Sequence, residues 1–350
     1  MKPIGLCNDL LTRTRTEKNE LFGWENALIE SGLPYEHIDC YKYDIVHEMD
    51  KYSGILWHYG NYVNADLMEA RNILDIAVSK GLAVFPDHNT AWHFDDKIAE
   101  SYLLDSVDAP IPKYWVFYEL DKVLDWLKNE AEYPLVAKLR RGSGSNNVKL
   151  LKDYHSASKY AKHMLTKGFS PAQSLLYKTY SKAQSTRDWS TLKKRIKRIP
   201  DFLNARRFGH GMPVEKGYCY FQEFIKNDGY DLKVIVVGDK CSFFARNVRK
   251  GSFKASGGGD FFYDKTKIPE SVVKTAFDTA EKIGAQCIGF DFVVDNTNQT
   301  GKIIEMCFGF DFLAISDCGG YWDKEMNWHD EPLYVRSEVI KNVFANRIKD

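Results

Sequence analysis

No charge of either sign predominates in this chain. Its 350 residues carry 48 Lys and Arg against 48 Asp and Glu, so no global field draws it to nucleic acid or to a membrane surface. No apolar run is long enough to span a bilayer, and the opening Met1-Lys2-Pro3-Ile4-Gly5-Leu6-Cys7 lacks the long apolar core of an export signal. Cysteine is sparse and scattered: 7 residues, an odd count, with no Cys-x-x-Cys pair. That pattern excludes a zinc site of the usual spacing and predicts reduced thiols rather than a disulfide framework. These absences predict a cytoplasmic protein with no membrane and no nucleic-acid partner. What is present is core material. Hydrophobic residues make up 44% and aromatic residues 14%, which is wrong for disorder and, at this length, enough for more than one lobe.

The first third alternates strand and helix. Residues 3–7, 35–40, 54–57 and 82–85 predict strands. Residues 17–31 predict a helix stopped by Gly32. Asn64 is the expected cap of a second helix, with Leu67, Ala70, Ile73, Leu74 and Ala77 as its buried stripe. Strands separated by helices imply a parallel sheet, here a small Rossmann-like lobe over residues 1–90. No Gly-x-Gly-x-x-Gly follows its first strand, so it is not a dinucleotide site of that kind. The loops Asn8-Asp9 and His58–Asn61 follow strands, where ligands bind in parallel sheets, but such turns are equally common without a ligand.

A second unit is expected over residues 91–180. A helix over 92–105 holds Asp96-Lys97, and Ala109-Pro110-Ile111-Pro112 breaks it. After a strand at 113–117 and a helix at 120–129, a buried strand delivers Lys138 into Gly142-Ser143-Gly144, and another strand leaves. Glycines let backbone N–H groups approach phosphate oxygens, and the lysine supplies charge; a plain hairpin can use the same residues. It is not a Walker loop, because no Gly-Lys-Ser/Thr opens a helix, nor a protein-kinase lobe, where the glycine loop precedes the lysine strand. Residues 181–216 read as a basic insertion, with Lys193, Lys194, Arg195, Lys197 and Arg198 among its cations. It is either a site for an anionic substrate or a solvated face.

Residues 217–350 form the third expected unit. Strands at 218–225, 230–237 and 240–247 place Asp231, Lys233, Arg246 and Arg249 around one meander, where alternation can bring several of them to one face. Gly257-Gly258-Gly259 sits in a loop suited to covering a site. A helix at 271–283 precedes a hairpin, and a last helix is expected over 334–348. In the hairpin, symmetry about Asn298 sets Asp291 beside Glu305, with Cys307 on the same face. Phe290, Phe292 and Val294 then face a core, opposite Ile304 and Met306. Like charges side by side repel, so the pair is either solvated or holds a cation. Hard oxygen ligands with open positions suit Mg²⁺ carrying nucleotide phosphates.

Together these pieces resemble the ATP-grasp superfamily, and most of all ribosomal-protein glutamate ligase and its carboxylate–amine ligase relatives. The resemblance rests on Asp96-Lys97, Pro134–Lys138 with Gly142-Ser143-Gly144, and Phe221–Ile225. It continues through Asp231-Leu232-Lys233, Arg246, Gly257–Gly259, Gly289-Phe290-Asp291 and Ile304-Glu305, in the family's order over about residues 90–310. It implies an α/β ATP-grasp fold with an N-terminal pre-ATP-grasp domain. It implies that Lys97, Lys138, Gly142, Ser143 and Gly144 contact ATP phosphates, that Gln222, Glu223, Phe224 and Ile225 form the adenine hinge, and that Asp231 lies near the ribose. Asp291 and Glu305 would hold Mg²⁺, and Arg246 with Lys233 would act in catalysis, Arg246 on the transferred phosphoryl group. Two departures stand out. The family usually has Glu-x-Asn at the second metal strand, where this chain has Glu305-Met306-Cys307, and a thiol is a poor Mg²⁺ ligand. Lys233 stands where arginine is commoner, losing bidentate binding.

The resemblance implies an ATP-dependent ligase. ATP would phosphorylate a small-molecule or peptide carboxylate, and an amine would displace phosphate from the acyl phosphate. An ATP-grasp kinase acting on a sugar or polyol hydroxyl is the alternative, and an ATP-binding protein impaired through Cys307 is a third. An oligomer is compatible with all three.

Overall fold

The computed structural model describes residues 2–9, 20–61, 63–142, 147–170, 212–227, 229–248, 260–295 and 297–345. Strands β1 (Ile4–Cys7), β2 (Tyr35–Ile38), β3 (Gly54–Leu56) and β4 (Ala83–Phe85) pair in parallel in the order β2-β1-β3-β4. Parallel pairing is what strands separated by helices require, since a tight turn cannot return the chain in the same direction. Helix Asn64–Ser79 buries Leu67, Ala70, Ile73, Leu74 and Ala77, the expected stripe.

Three local expectations are corrected here. The helix cap is Val63, with no side-chain hydrogen bond; Asn64 Oδ1 instead accepts from Arg141 Nη1 at 2.6 Å, a charge-assisted bond. The helix expected from residue 92 begins at Lys97. Asp95 has φ 58, Asp96 is extended, and the Asp96 carboxylate accepts from the N–H groups of Ile98 and Ala99. The cysteines are not all free: Cys7 and Cys40 form a disulfide. Cys7 ends β1 and Cys40 lies just beyond β2, and the pairing of these adjacent strands sets their Cα atoms 6.2 Å apart. A separation of 33 residues in sequence hides that adjacency.

A second sheet joins β5 (Tyr114–Phe117), β6 (Leu135–Ala137), β7 (Lys149–Leu151) and β8 (Cys219–Glu223) in the antiparallel order β5-β8-β6-β7. Helices Leu120–Asn129 and Tyr154–Thr166 back it, with Val123, Leu127, Ala157, Ala161 and Met164 packed with Phe221 in one core. The strand just past residue 217 thus enters this sheet, between strands from before residue 140.

The third sheet holds β9 (Tyr230–Val237), β10 (Lys240–Asn247), β11 (Phe261–Phe262), β12 (Cys287–Asp295), β13 (Thr300–Cys307), β14 (Tyr321–Asp323) and β15 (Trp328–His329). Its order is β13-β12-β9-β10-β14-β15, with β11 on β10. Alternation gives it two apolar faces. Val234, Phe290, Phe292 and Val294 pack with helix Glu270–Ile283 on one side. Ile235, Val237 and Cys287 on the other share a core with β1, β3 and β4 and with the end of the chain, Val335, Val339, Ile340 and Phe344. That last helix runs Val335–Ile340, shorter than expected, and continues as a π-helical turn, Lys341–Ala345. Among the described residues no helix is long and apolar enough to cross a membrane.

Candidate active site

The β12–β13 hairpin pairs Asp291 with Glu305, Phe290 with Met306 and Gly289 with Cys307, as symmetry about Asn298 predicts. The register then shifts, and Phe292 faces Ile303. Ile303, not Ile304, is the residue buried opposite the phenylalanines. A bulge adds one residue to one strand and bends it. Here it leaves Ile304 outside the ladder, and the Ile304 carbonyl accepts from Lys138 Nζ at 3.1 Å.

Strand register assembles the charges. Pairing of β9 with β12 sets Lys233 opposite Asp291, and pairing of β9 with β10 sets Arg246 opposite Asp231. Asp291 Oδ1 accepts from Lys233 Nζ at 3.1 Å and from Arg246 Nη2 at 3.1 Å. Arg246 also clasps Asp231, with Nε donating to Oδ2 at 3.0 Å and Nη2 to the same oxygen. Across the hairpin Glu305 Oε1 pairs with Lys97 Nζ at 3.2 Å. The cations beside this carboxylate pair are therefore side chains of the protein, and they offset the repulsion of the two acids.

Protonation follows. Burial pushes the Asp231 carboxyl up to about 7 against the pull of Arg246. Burial also opposes ionisation of Asp291, but Lys233 and Arg246 outweigh it and hold this carboxyl below the usual range. Lys97, Lys233 and Arg246 are likewise raised, their acidic neighbours outweighing burial. Lys138 goes the other way. Burial brings it down to about 8, Glu305 opposing and Lys97 adding to the shift. Among the described residues Lys138 has no carboxylate at ion-pair distance, only the Ile304 carbonyl.

The glycine turn is tied down from beneath. Gly142, at φ 114, donates its N–H to Asp95 Oδ1 at 3.0 Å, and its carbonyl accepts from Lys97 Nζ at 2.9 Å. Asp95 Oδ1 also accepts from Asn61 Nδ2 at 2.9 Å, so the loop after β3 leans on this turn. Gln222 is buried within β8, and Glu223 ends the strand. The Glu223 carboxylate accepts from the Lys113 N–H and from Lys302 Nζ, each at 3.2 Å. Phe224 and Ile225 follow, half-buried, where the chain crosses from the second sheet to the third. Ser143, Gly144, Arg249, Gly257–Gly259 and the basic run at 181–211 lie outside the described residues.

Three residues absent from the sequence reading, Asp95, Glu100 and Arg141, sit in this cluster or beside it. Asp95 holds the glycine turn. Glu100 is buried one helical turn from Lys97, a spacing legible in the sequence, and its Oε2 accepts from the Met306 N–H at 3.3 Å. Arg141 reaches in from the loop before Gly142, with no sequence signal to mark it, whereas Asn61 belongs to the His58–Asn61 loop that its place after a strand had marked. Cys307 shares the face of Glu305; its thiol donates to the Gly309 carbonyl at 3.1 Å and lies 3.2 Å from Lys233 Nζ.

The donor set fits one kind of metal binding and not another. Two hard carboxylates stand side by side, but Cys307 is a poor partner for Mg²⁺, and the described residues contain no cluster of three acidic, histidine or cysteine groups able to hold a metal. Asp291 and Glu305 suit a divalent cation whose remaining ligands come from phosphate and water, not an all-protein cage.

No protein-family model and no curated protein matches the sequence. Solved structures do. A RimK domain ATP-grasp protein from Sphaerobacter thermophilus is similar with TM-score 0.55 and 15% identity, over 97% of this chain and 99% of that one. An ATP-grasp ligase from Chryseobacterium gregarium, associated with a ribosomally made peptide and solved with ADP and a leader and core peptide, gives TM-score 0.58 at 11% identity over 99% and 97%. D-alanine–D-alanine ligase from Bacillus anthracis, complexed with ATP, gives 0.51 at 12% over 100% and 98%. The chain has the ATP-grasp fold, of mixed helices and sheets. Its structural neighbours include ligases that join small molecules or peptides.

Proposed function

We propose that the protein is an ATP-dependent carboxylate–amine ligase. Lys138 carries this reading: a buried ammonium just past a strand that leads to a glycine turn, paired among the described residues only with a carbonyl, facing a carboxylate pair already met by cations. Such an ammonium lacks an anion, and the phosphates of ATP are the anion the fold's structural neighbour from Bacillus anthracis was solved with. Lys97 and Lys138 would bind phosphate oxygens, and Gln222, Glu223, Phe224 and Ile225 would line the adenine end. Asp291 and Glu305 would hold Mg²⁺, which supplies charge neutralisation for phosphoryl transfer. Lys233 orients Asp291, and Arg246 offers its guanidinium to the transferred phosphoryl group or the acyl phosphate. In the reaction the substrate carboxylate attacks the γ-phosphorus and ADP leaves. The amine then attacks the acyl carbon, phosphate leaves, and the amine proton passes to solvent.

The test is ADP release from ATP and Mg²⁺ across pools of carboxylates and amines. Release that requires both, with free phosphate as coproduct, supports the ligase. A phosphorylated alcohol as product makes the protein a kinase, and ATP binding without turnover under any acceptor makes it a nucleotide-binding protein.

A further inference from the structure

Three consecutive residues of β13 are gripped from across the cleft, each by a different kind of contact. Lys138 Nζ donates to the Ile304 carbonyl, Lys97 Nζ pairs with Glu305 Oε1, and Glu100 Oε2 accepts from the Met306 N–H. Among the described residues β13 is the edge of its sheet, so its outward backbone groups have no strand partner there, and the Ile303 N–H goes instead to the Pro110 carbonyl at 2.8 Å. Without outside partners, the buried Met306 N–H would be left unsatisfied. The ladder is already interrupted beside Glu305 by the bulge, where a strand is freest to shift.

Lys97 and Glu100 lie in the first turn of helix Lys97–Ser106. One turn of helix therefore holds both the side chain of Glu305 and the backbone immediately after it. The helix is itself fixed. Asp96 caps it, and the Ser101 hydroxyl donates to the Lys97 carbonyl and shares a 2.7 Å hydrogen bond with Tyr220 of β8. Glu100 is thus mounted on a rigid support and aimed at the strand that carries a candidate metal ligand.

We propose that Glu100 is a positioning residue for the reaction proposed above: by holding the Met306 amide it fixes Glu305 against Lys97 and Lys138. The inference rests on that reading of Glu305. Glu100 touches neither nucleotide nor substrate; it acts through the strand. Burial pushes its carboxyl up to about 8. The bond to Met306 needs only an acceptor oxygen, which protonated and ionised forms both provide, so glutamine reproduces the contact. Methionine fills the same space without an acceptor.

Full-length parent, Glu100→Gln and Glu100→Met are compared by two readouts. The first is hydrogen exchange without metal or nucleotide. Residues 303–307 should exchange about tenfold faster in Glu100→Met, while β9 and Glu100→Gln keep the parent rate. The second is steady-state turnover against ATP and against Mg²⁺. Glu100→Met should lower kcat roughly tenfold and raise the Mg²⁺ needed for half-maximal rate, with the KM for ATP within about twofold and Glu100→Gln near the parent. Unchanged exchange at 303–307 in Glu100→Met overturns the inference, as does a Glu100→Gln protein damaged equally. If Glu100→Met does not fold, Glu100→Gln must still match the parent in both readouts, or the idea fails. Should the parent turn over no ATP, the ligase reading falls, while the exchange comparison still decides whether Glu100 holds the strand.

Discussion

Two residues of the candidate site behave oppositely towards stability. Lys138 is a desolvated ammonium whose pKa is lowered to about 8 in the folded chain, against about 10.4 when unfolded. Below pH 8 both states bind the proton and folding bears the full penalty of burying the charge; the penalty fades as pH rises from 8 towards 10.4. Lys138→Met should therefore stabilise the nucleotide-free protein by about 1–2 kcal/mol at pH 7, less at pH 9.5, while weakening ATP binding more than adenosine binding. Urea melts at the two pH values and paired titrations check it, and ATP affinity equal to the parent's would sink the phosphate assignment. Asp291 is the converse. Its pKa is depressed, so its contribution to stability is present above about pH 4 and lost as pH falls below. From the sequence alone, amide replacement of either hairpin acid only relieves repulsion. In the structure, Asp291→Asn removes the carboxylate paired with Lys233 and one of the two that hold Arg246, which keeps Asp231, and a loss of about 3 kcal/mol is expected. Glu305 is more open and, among the described residues, has Lys97 as its one partner at ion-pair distance, so Glu305→Gln should cost less than about 1 kcal/mol. Both should nearly abolish ATP turnover. Equal melting temperatures for the two variants would contradict the asymmetry.

Elements were legible where one local pattern decided them. Period-two alternation located β9, β10 and β12, and it placed Asp291 beside Glu305 because the two strands are nearly symmetric about their turn. The bulge at Ile304 was not legible, because the group that meets its freed carbonyl, Lys138, is distant in sequence. For the same reason Asn64 looks like a cap and is not one, its carbonyl oxygen being drawn to Arg141, distant in sequence. Asp96 shows how much one cap positions. Its carboxylate sets the start of the helix at Lys97, immediately ahead of the residues that grip β13. Asp96→Ala should cost about 1 kcal/mol and lower ATP turnover by moving Lys97, and Asp96→Asn should recover most of both. Thermal melts with parallel rate measurements decide it; turnover unaffected by Asp96→Ala would separate the cap from the site.

At the scale of the whole molecule, the site belongs to no single sheet. Lys138 follows a strand of the second sheet, Asp291, Glu305 and Arg246 come from the third, and Asn61 lies in a loop that follows the first. A nucleotide bound there ties the sheets together, so Mg²⁺ and ATP at a hundred times Kd should stabilise the native protein by about 2.7 kcal/mol, an effect Lys138→Met should reduce. Adenosine giving the same stabilisation as ATP would place no phosphate at Lys138.

The common core of the first strands and the last helix has a consequence for synthesis. Ile4, Leu6, Ile55, Leu56, Val84 and Phe85 share one core with Val335, Val339, Ile340 and Phe344, and the Phe344 ring lies close enough to Gly54 that a Cβ added there would come within 2.8 Å of it. A chain emerging from the ribosome makes the parallel strands long before the helix that seals them. That sheet waits, partly uncovered, until residues 335–344 have emerged. Chains stopped at residue 330 should be cut rapidly by protease within residues 20–94, where the full chain resists.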